Sequence, residues 1–215
     1  MGYFKFPRTH HISNTGSIER DDLLLDKADA AKFWGPGRVV RCEEKIDGSN
    51  LGFSLSVNWE VQVQNRAKYI CSASASQYKA LDSWIEQHQG ELCQILGEPE
   101  RFILFGEWMY AQHSIRYTKL PGYFIAFDIF DKGTGKFLSK AARDARLDGS
   151  TIPLIPTVAE REFADLNELL GLLNTQSQFY DGFLEGVYVK VDDGEHCAYR
   201  GKLVRKDFIQ EIEDH

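Results

Sequence analysis

The segment Glu44-Lys45-Ile46-Asp47-Gly48-Ser49-Asn50 places a lysine two residues ahead of an Asp-Gly turn, at the end of a stretch that opens with the β-branched pair Val39-Val40. A lysine amine presented at a strand end can attack the α-phosphate of a nucleotide and hold that nucleotide covalently. The same residues also suit an ordinary hairpin corner with a solvated lysine, so the motif alone does not decide. Four further segments bear on the choice, because each ends or interrupts an apolar run with polar residues that a core strand has no reason to carry. They are Phe105-Gly106-Glu107, Phe127-Asp128, Leu184-Glu185-Gly186-Val187-Tyr188-Val189-Lys190 and Lys202-Leu203-Val204-Arg205.

Periodicity locates the elements that must position these groups. Leu51, Phe53, Leu55 and Val57 alternate with small residues, and Val61 and Val63 resume the pattern, which predicts a hairpin over 51–57 and 60–66. From Tyr78 the spacing becomes helical: Leu81, Trp84, Ile85, His88, Leu92, Ile95 and Leu96 share a stripe closed by Gly97 and Pro99, with His88 at the core or its boundary. The apolar runs 102–105 and 123–127 read as buried strands, and 131–135 as a turn. Ser139 is placed to cap a short helix ending at Leu147, and Asp165 with Glu168 has capping-box spacing ahead of a leucine-rich segment. Strands over 184–191 and 196–204 close around Asp192-Asp193-Gly194-Glu195. The expected fold is α+β, mainly antiparallel sheets with flanking helices, in a single domain over 1–215 without internal repeats.

Composition excludes several classes. A net charge of −7 argues against binding nucleic acid by bulk electrostatics. Two local basic stretches, Lys132-Lys136-Lys140-Arg143-Arg146 and Arg200-Lys202-Arg205-Lys206, read equally well as solvated faces or contact surfaces. The cysteines Cys42, Cys71, Cys93 and Cys197 lie far apart, which suggests neither zinc nor disulfides and fits a reducing, cytoplasmic setting. No apolar stretch approaches the ~20 residues of a membrane span, and no phosphate-binding P-loop motif is present. His10-His11 and His113 lack partners at metal-ligand spacing; His113 with Arg116 and Tyr117 reads as a loop that touches substrate.

Taken in order, Lys-x-Asp-Gly, Gly-Glu, Phe-Asp, Glu-Gly-Val-x-x-Lys and Lys-x-x-Arg resemble the motif series of the covalent lysine nucleotidyltransferases, the ATP-dependent ligases and capping enzymes. The resemblance covers about 39 to 208. Asn50, Asn65-Arg66 and the Phe-Asp pair look most like the RNA ligases typified by the second RNA ligase of bacteriophage.

That resemblance implies the ligase adenylylation fold and a role for each motif residue. Lys45 would be the nucleophile that forms lysyl-AMP from ATP, and Lys202 would neutralise the α-phosphate. An ordinary lysine amine, with a pKa of about 10.4, needs desolvation or neighbouring cations to attack, and Lys190, Lys202 and a metal would supply them. Glu44 and Ile46 would lie at the adenine edge, Phe127 on its face, Glu107 at the ribose, and Asn50 and Arg66 near ribose, phosphate or the incoming strand end. Glu185 would belong to the environment of Mg²⁺ or Mn²⁺. The implied reaction is RNA repair: AMP passes to a 5′-phosphate RNA end, which is then sealed to a 3′-hydroxyl. The family commonly has a second, oligonucleotide-binding-type domain after the last motif; none is expected in 1–215, so a protein partner would replace it. The alternatives are a nick-sealing DNA ligase, a guanylyltransferase, or a turnover-deficient nucleic-acid-end binding module. No membrane association is expected.

Overall fold

The computed structural model describes residues 3–16, 22–112 and 114–205. In chain order its strands are β1 (Val40–Lys45), β2 (Ser49–Leu55), β3 (Val61–Gln64), β4 (Tyr69–Ile70), β5 (Phe102–Trp108), β6 (Phe124–Asp131), β7 (Lys136–Phe137), β8 (Thr157–Arg161), β9 (Gly186–Asp193) and β10 (His196–Val204). The α-helices are α1 (Lys27–Ala30), α2 (Leu81–Leu96), α3 (Lys140–Leu147) and α4 (Leu166–Gly171). The chain divides into two compact units, and it passes from one to the other inside the Lys-x-Asp-Gly motif, between Asp47 and Gly48.

One unit comprises Met1–Phe6, Gly48–Gln112 and Pro121–Leu154. Its antiparallel sheet runs β4-β3-β2-β5-β6-β7. Strand alternation turns Leu51, Phe53 and Leu55 toward the stripe of α2, where Leu81, Trp84, Leu92, Ile95 and Leu96 are buried. Each such side chain contributes roughly 1.5–3 kcal/mol of burial, which outweighs the weak intrinsic preference of a helix containing Gly90. Gly97, at φ 65, ends α2 and donates its N–H to Cys93 O. The Ser139 hydroxyl caps α3 by accepting from Ala142 N, as its spacing predicts.

A bulge interrupts the β5–β6 ladder. Phe105 pairs with Asp128 and Gly106 with Ala126, so Phe127 is the extra residue. Its carbonyl accepts a 2.7 Å hydrogen bond from Arg143 Nη1, a guanidinium only 2 % exposed. The close approach explains Gly106: a Cβ there would lie 2.3 Å from Phe124 Cζ.

The other unit comprises Pro7–Asp47, His113–Leu120 and Ile155–His215, with strand order β10-β9-β1-β8. One face is apolar: Val40, Cys42, Val187, Val189, Val191 and Leu203 pack with Ile12, Phe33, Phe163, Leu169 and Leu173. The other face carries Arg41, Glu43 and Lys45 from β1, which register against Lys190, Tyr188 and Gly186 of β9, themselves opposite Arg200, Lys202 and Val204 of β10. Outside β10, residues 10–12 form a further extended segment: Lys202 N donates to His10 O, Ile12 N to Lys202 O, and on the far side His11 N to Leu23 O.

Boundaries differ from the sequence expectation where tertiary bonds intervene. Leu184 donates to Thr175 O and joins the ladder of no neighbouring strand, so β9 starts at Gly186 rather than 184 and runs on to Asp193. Asp165 caps α4 through Asn167 N and Glu168 N, but the Glu168 carboxylate accepts from Ala164 N, one residue before the cap. The strand β8 carries no clean alternation, because its residues are half-buried or exposed.

Candidate active site

Within the second unit, Lys45 stands at the end of β1 with its Nζ paired to Glu185 Oε1; the side chains are 14 % and 1 % exposed. Burial works against the charged amine, but the carboxylate of Glu185, the nearby Tyr188 and the hydrogen bond to Glu185 outweigh it, and the Lys45 ammonium is held above the usual lysine range. Burial raises the Glu185 carboxyl in turn, against the opposing pull of Lys45. The second oxygen, Glu185 Oε2, is buried and has no hydrogen-bond partner among the described residues. Gly186, opposite Lys45 in the ladder, lets β10 lie close on its other side, since a Cβ would meet Leu203 O at 2.4 Å.

Lys202 lies on the same face and donates to Asp22 Oδ1 at 3.0 Å, its side chain 17 % exposed. The other Asp22 oxygen is 3.1 Å from Nε2 of His11, a ring only 1 % exposed. Burial, reinforced by Lys202, lowers the His11 pKa, while Asp22 acts in the opposite direction.

Lys190, expected beside the nucleotide, has its ammonium in a buried network. It donates to Glu43 Oε2 at 2.6 Å, Arg41 donates to Glu43 Oε1 at 2.6 Å, and Arg41 reaches Asp192 at 3.1 Å. The carboxylate of Glu44, expected at the adenine edge, accepts from Ser177 Oγ at 2.5 Å and Gln178 N at 3.2 Å. Burial raises its pKa, and those two bonds oppose the shift. The Ile46 side chain is buried. Asp47 accepts from Ser114 Oγ, and its N–H donates to Tyr117 Oη at 2.9 Å. Burial pushes the Tyr117 phenol well above its ordinary value. Arg116 is exposed, whereas His113 and Lys206 lie outside the described residues.

In the first unit, Asn50 on β2 stands directly opposite Glu107 on β5. Asn50 is 7 % exposed, yet neither its Oδ1 nor its Nδ2 has a partner among the described residues. Glu107 accepts the Gly48 N–H at 3.1 Å. Arg66 is exposed in a turn that Asn65 Oδ1 builds by accepting from Ala67 N and Lys68 N. Phe127 is 6 % exposed and meets Phe6 edge-to-face, with ring centroids 5.6 Å apart.

The basic stretch from Lys132 to Arg146 is not one solvated face. Arg143 is buried behind the bulge, Arg146 donates to Ile95 O at 2.8 Å and lies 3.6 Å over the Phe102 ring, and Lys140 pairs with Asp144 at 2.8 Å. Helical spacing turns Arg143 inward, where a bulged carbonyl rewards its burial; charge counting along the sequence cannot see this. Sequence reasoning also missed the contacts of Asp22, His11 and Glu43: Glu43 stands beside Glu44 and Lys45 in β1, and His11 bridges to Lys202, but no local pattern marks Asp22. Among the described residues no group of three or more His, Cys, Asp or Glu is arranged to hold a metal, and no helix is long and apolar enough to cross a membrane.

Comparison with known proteins follows the same lines. The family described as RNA ligase matches residues 38–204, which spans both units. Solved structures of an RNA ligase from Naegleria gruberi share the fold. That protein with PPi superposes with a TM-score of 0.70 at 17 % identity, covering 94 % of this chain and 56 % of that one. A lysine-to-alanine variant with ATP and Mn gives 0.69 and 18 %, and a glutamate-to-alanine variant with AMP and Mn gives 0.69 and 17 %, with the same coverage. The chain therefore spans about half the length of those solved proteins. No curated protein matches it.

Proposed function

This chain belongs to the RNA ligase family, and from that premise we propose that it is an ATP-dependent RNA ligase whose first step is adenylylation of Lys45. The observation that carries the reading is the ion pair of Lys45 with the buried Glu185, on a sheet face that also holds Lys202. In the reaction Lys45 must first give up the proton that its pairing with Glu185 favours; the neutral amine then attacks the α-phosphorus of ATP, an N–P bond forms as the bond to the β-phosphate oxygen breaks, pyrophosphate leaves, and the nitrogen's second proton passes to solvent. AMP then passes to the 5′-phosphate of an RNA end, and a 3′-hydroxyl displaces it to seal the strand.

Lys202 fits the task of offsetting charge on the α-phosphate, where catalysis of phosphoryl transfer is mostly positioning and electrostatics. A divalent cation, Mg²⁺ or Mn²⁺, fits the orphaned Glu185 Oε2, because magnesium takes few protein carboxylates and keeps its waters. When bound it would supply charge neutralisation at the phosphates, and Glu185 is the residue that would hold it. Asn50 and Glu107 fit recognition of a ribose or strand-end hydroxyl: an ionised carboxylate accepts from a hydroxyl, and the Asn50 amide, without a partner among the described residues, keeps a donor and an acceptor available. We read residues 38–204 as one nucleotidyltransferase module.

The test is incubation with labelled ATP or GTP, then denaturing electrophoresis. ATP should label the parent, Lys45→Ala should not be labelled, and GTP should label weakly. Equal labelling by GTP indicates capping chemistry instead. A matched pair of 5′-phosphorylated substrates differing only in the sugars of the 3′-hydroxyl strand tests the polynucleotide. Faster sealing of the ribose version is expected, and preference for the all-DNA version rejects RNA ligation.

A further inference from the structure

We propose that Asp22, braced by His11, is a positioning residue that holds the Lys202 ammonium in place on the polar face of its sheet; this rests on the role assigned to Lys202 above. Lysine is a flexible four-carbon stem with a compact charge, and unaided it samples many rotamers. Here the stem is restrained from two directions. The backbone of Lys202 is bonded on both sides to the 10–12 segment, through His10 O and Ile12 N. Its Nζ is bonded to Asp22 Oδ1 at 3.0 Å.

Asp22 is itself fixed. His11 pairs its backbone with Leu23 and Leu25, beside Asp22 in the chain, and its buried ring lies 3.1 Å from the second Asp22 oxygen, a close contact without hydrogen-bond geometry. A carboxylate held this way orients its partner without taking its full hydrogen-bonding capacity, because an ammonium has three donors and keeps others for a phosphate. The arrangement repeats on β1 and β9 with other residues, where Arg41 braces Glu43 and Glu43 holds Lys190. No motif position includes Asp22 or His11. They reach the site because the 10–12 segment lies alongside β10.

The test is a double-mutant cycle on the rate of Lys45 adenylylation. Lys202→Ala should slow the step by ~10²–10³-fold, as for one preorganised electrostatic group, and Asp22→Ala by about 10–100-fold, a part of the same loss. Asp22→Asn, which keeps an acceptor, should recover much of the rate. If Asp22 acts through Lys202, adding Asp22→Ala to Lys202→Ala should cost nothing further; multiplying effects overturn the proposal. A second readout needs no turnover. The Lys202 ammonium, hydrogen-bonded and largely shielded, should give a nitrogen-proton signal in lysine-labelled protein that Lys202→Ala identifies and Asp22→Ala abolishes. Persistence of that signal in Asp22→Ala rejects the positioning role even if the parent forms no adduct, an outcome that would count against the ligase reading alone.

Discussion

Replacing Glu185 by Gln isolates the ion pair at the centre of the site. The substitution keeps the shape and removes the charge, leaving the Lys45 ammonium with 14 % exposure and its paired carboxylate gone. Breaking a fully buried pair from one side costs about 3–5 kcal/mol. Lys45 retains some water contact and can shed its proton, so the loss should be about 2–4 kcal/mol. For a chain of this size each kcal/mol moves the melting temperature by ~2–4 °C, hence a drop of about 5–15 °C.

The pH dependence carries the sharper signature. The folded-state pKa of Lys45 is raised, so its stabilising contribution is fully present below the unfolded value of about 10.4 and is lost as pH rises through the folded value. The folded-state pKa of Glu185 is also raised, and once protonated that group resembles the Gln that replaces it. Parent and variant should therefore differ most in the neutral range and converge as acid protonates Glu185. Urea unfolding at a series of pH values, with chelator and without nucleotide, measures this directly. The pair Lys45→Met with Glu185→Leu should recover most of the stability lost by either change alone. A difference that is constant with pH, or two losses that simply add, would refute the buried ion pair.

Asn50→Ala should leave the urea midpoint unchanged or slightly higher, since it removes an unpartnered buried amide whose burial costs ~1–3 kcal/mol, while strand sealing falls sharply; a large loss of stability would make Asn50 structural. Gly186→Ala should lower stability by about 1–3 kcal/mol and slow adduct formation, because its Cβ meets Leu203 O at 2.4 Å and so disturbs the pairing of β9 with β10, the strand that carries Lys202. Arg143→Ala should destabilise by about 1–3 kcal/mol, removing a buried donor to the Phe127 carbonyl, and unfolding curves should show it without any change in the salt dependence of RNA binding.

The sequence disclosed those features that are written in local pattern. Alternation over Leu51–Leu55, the stripe of α2 and the Ser139 cap all reappear, because burial on one face and cap chemistry are decided within a few residues. Lys45 and Glu185 were likewise legible as motif residues, and the structure pairs them. Not legible was which charges the fold would consume internally. Lys190 looks like an exposed strand lysine until the register sets it opposite Arg41, within reach of Glu43. Glu44 and Lys45 are neighbours, yet alternation separates them: one carboxylate secures residues 177–178 while the adjacent amine meets Glu185. Phe127 reads as part of an apolar run, and only the β5–β6 register shows it to be the bulged residue with a carbonyl that Arg143 must satisfy. Such pairings depend on long-range register, which one chain's periodicity does not encode.

The Asp47-Gly48 pair has a consequence for how this protein ages. Aspartyl-glycine links are chemically fragile: the glycine nitrogen attacks the aspartyl carboxyl, and the resulting ring reopens to an isomerised backbone. Here both reactants are restrained, the Gly48 N–H by Glu107 Oε1 and the Asp47 carboxylate by Ser114, with Asp47 only 6 % exposed. The chain has three other such pairs, Asp148-Gly149, Asp181-Gly182 and Asp193-Gly194, and the aspartate of each is exposed. Storage damage should accumulate at those three first and spare the link beside Lys45 while the protein stays folded. In the unfolded chain that protection vanishes, so preparations that spend time denatured would lose activity by isomerisation at the motif itself, a lesion that refolding does not reverse.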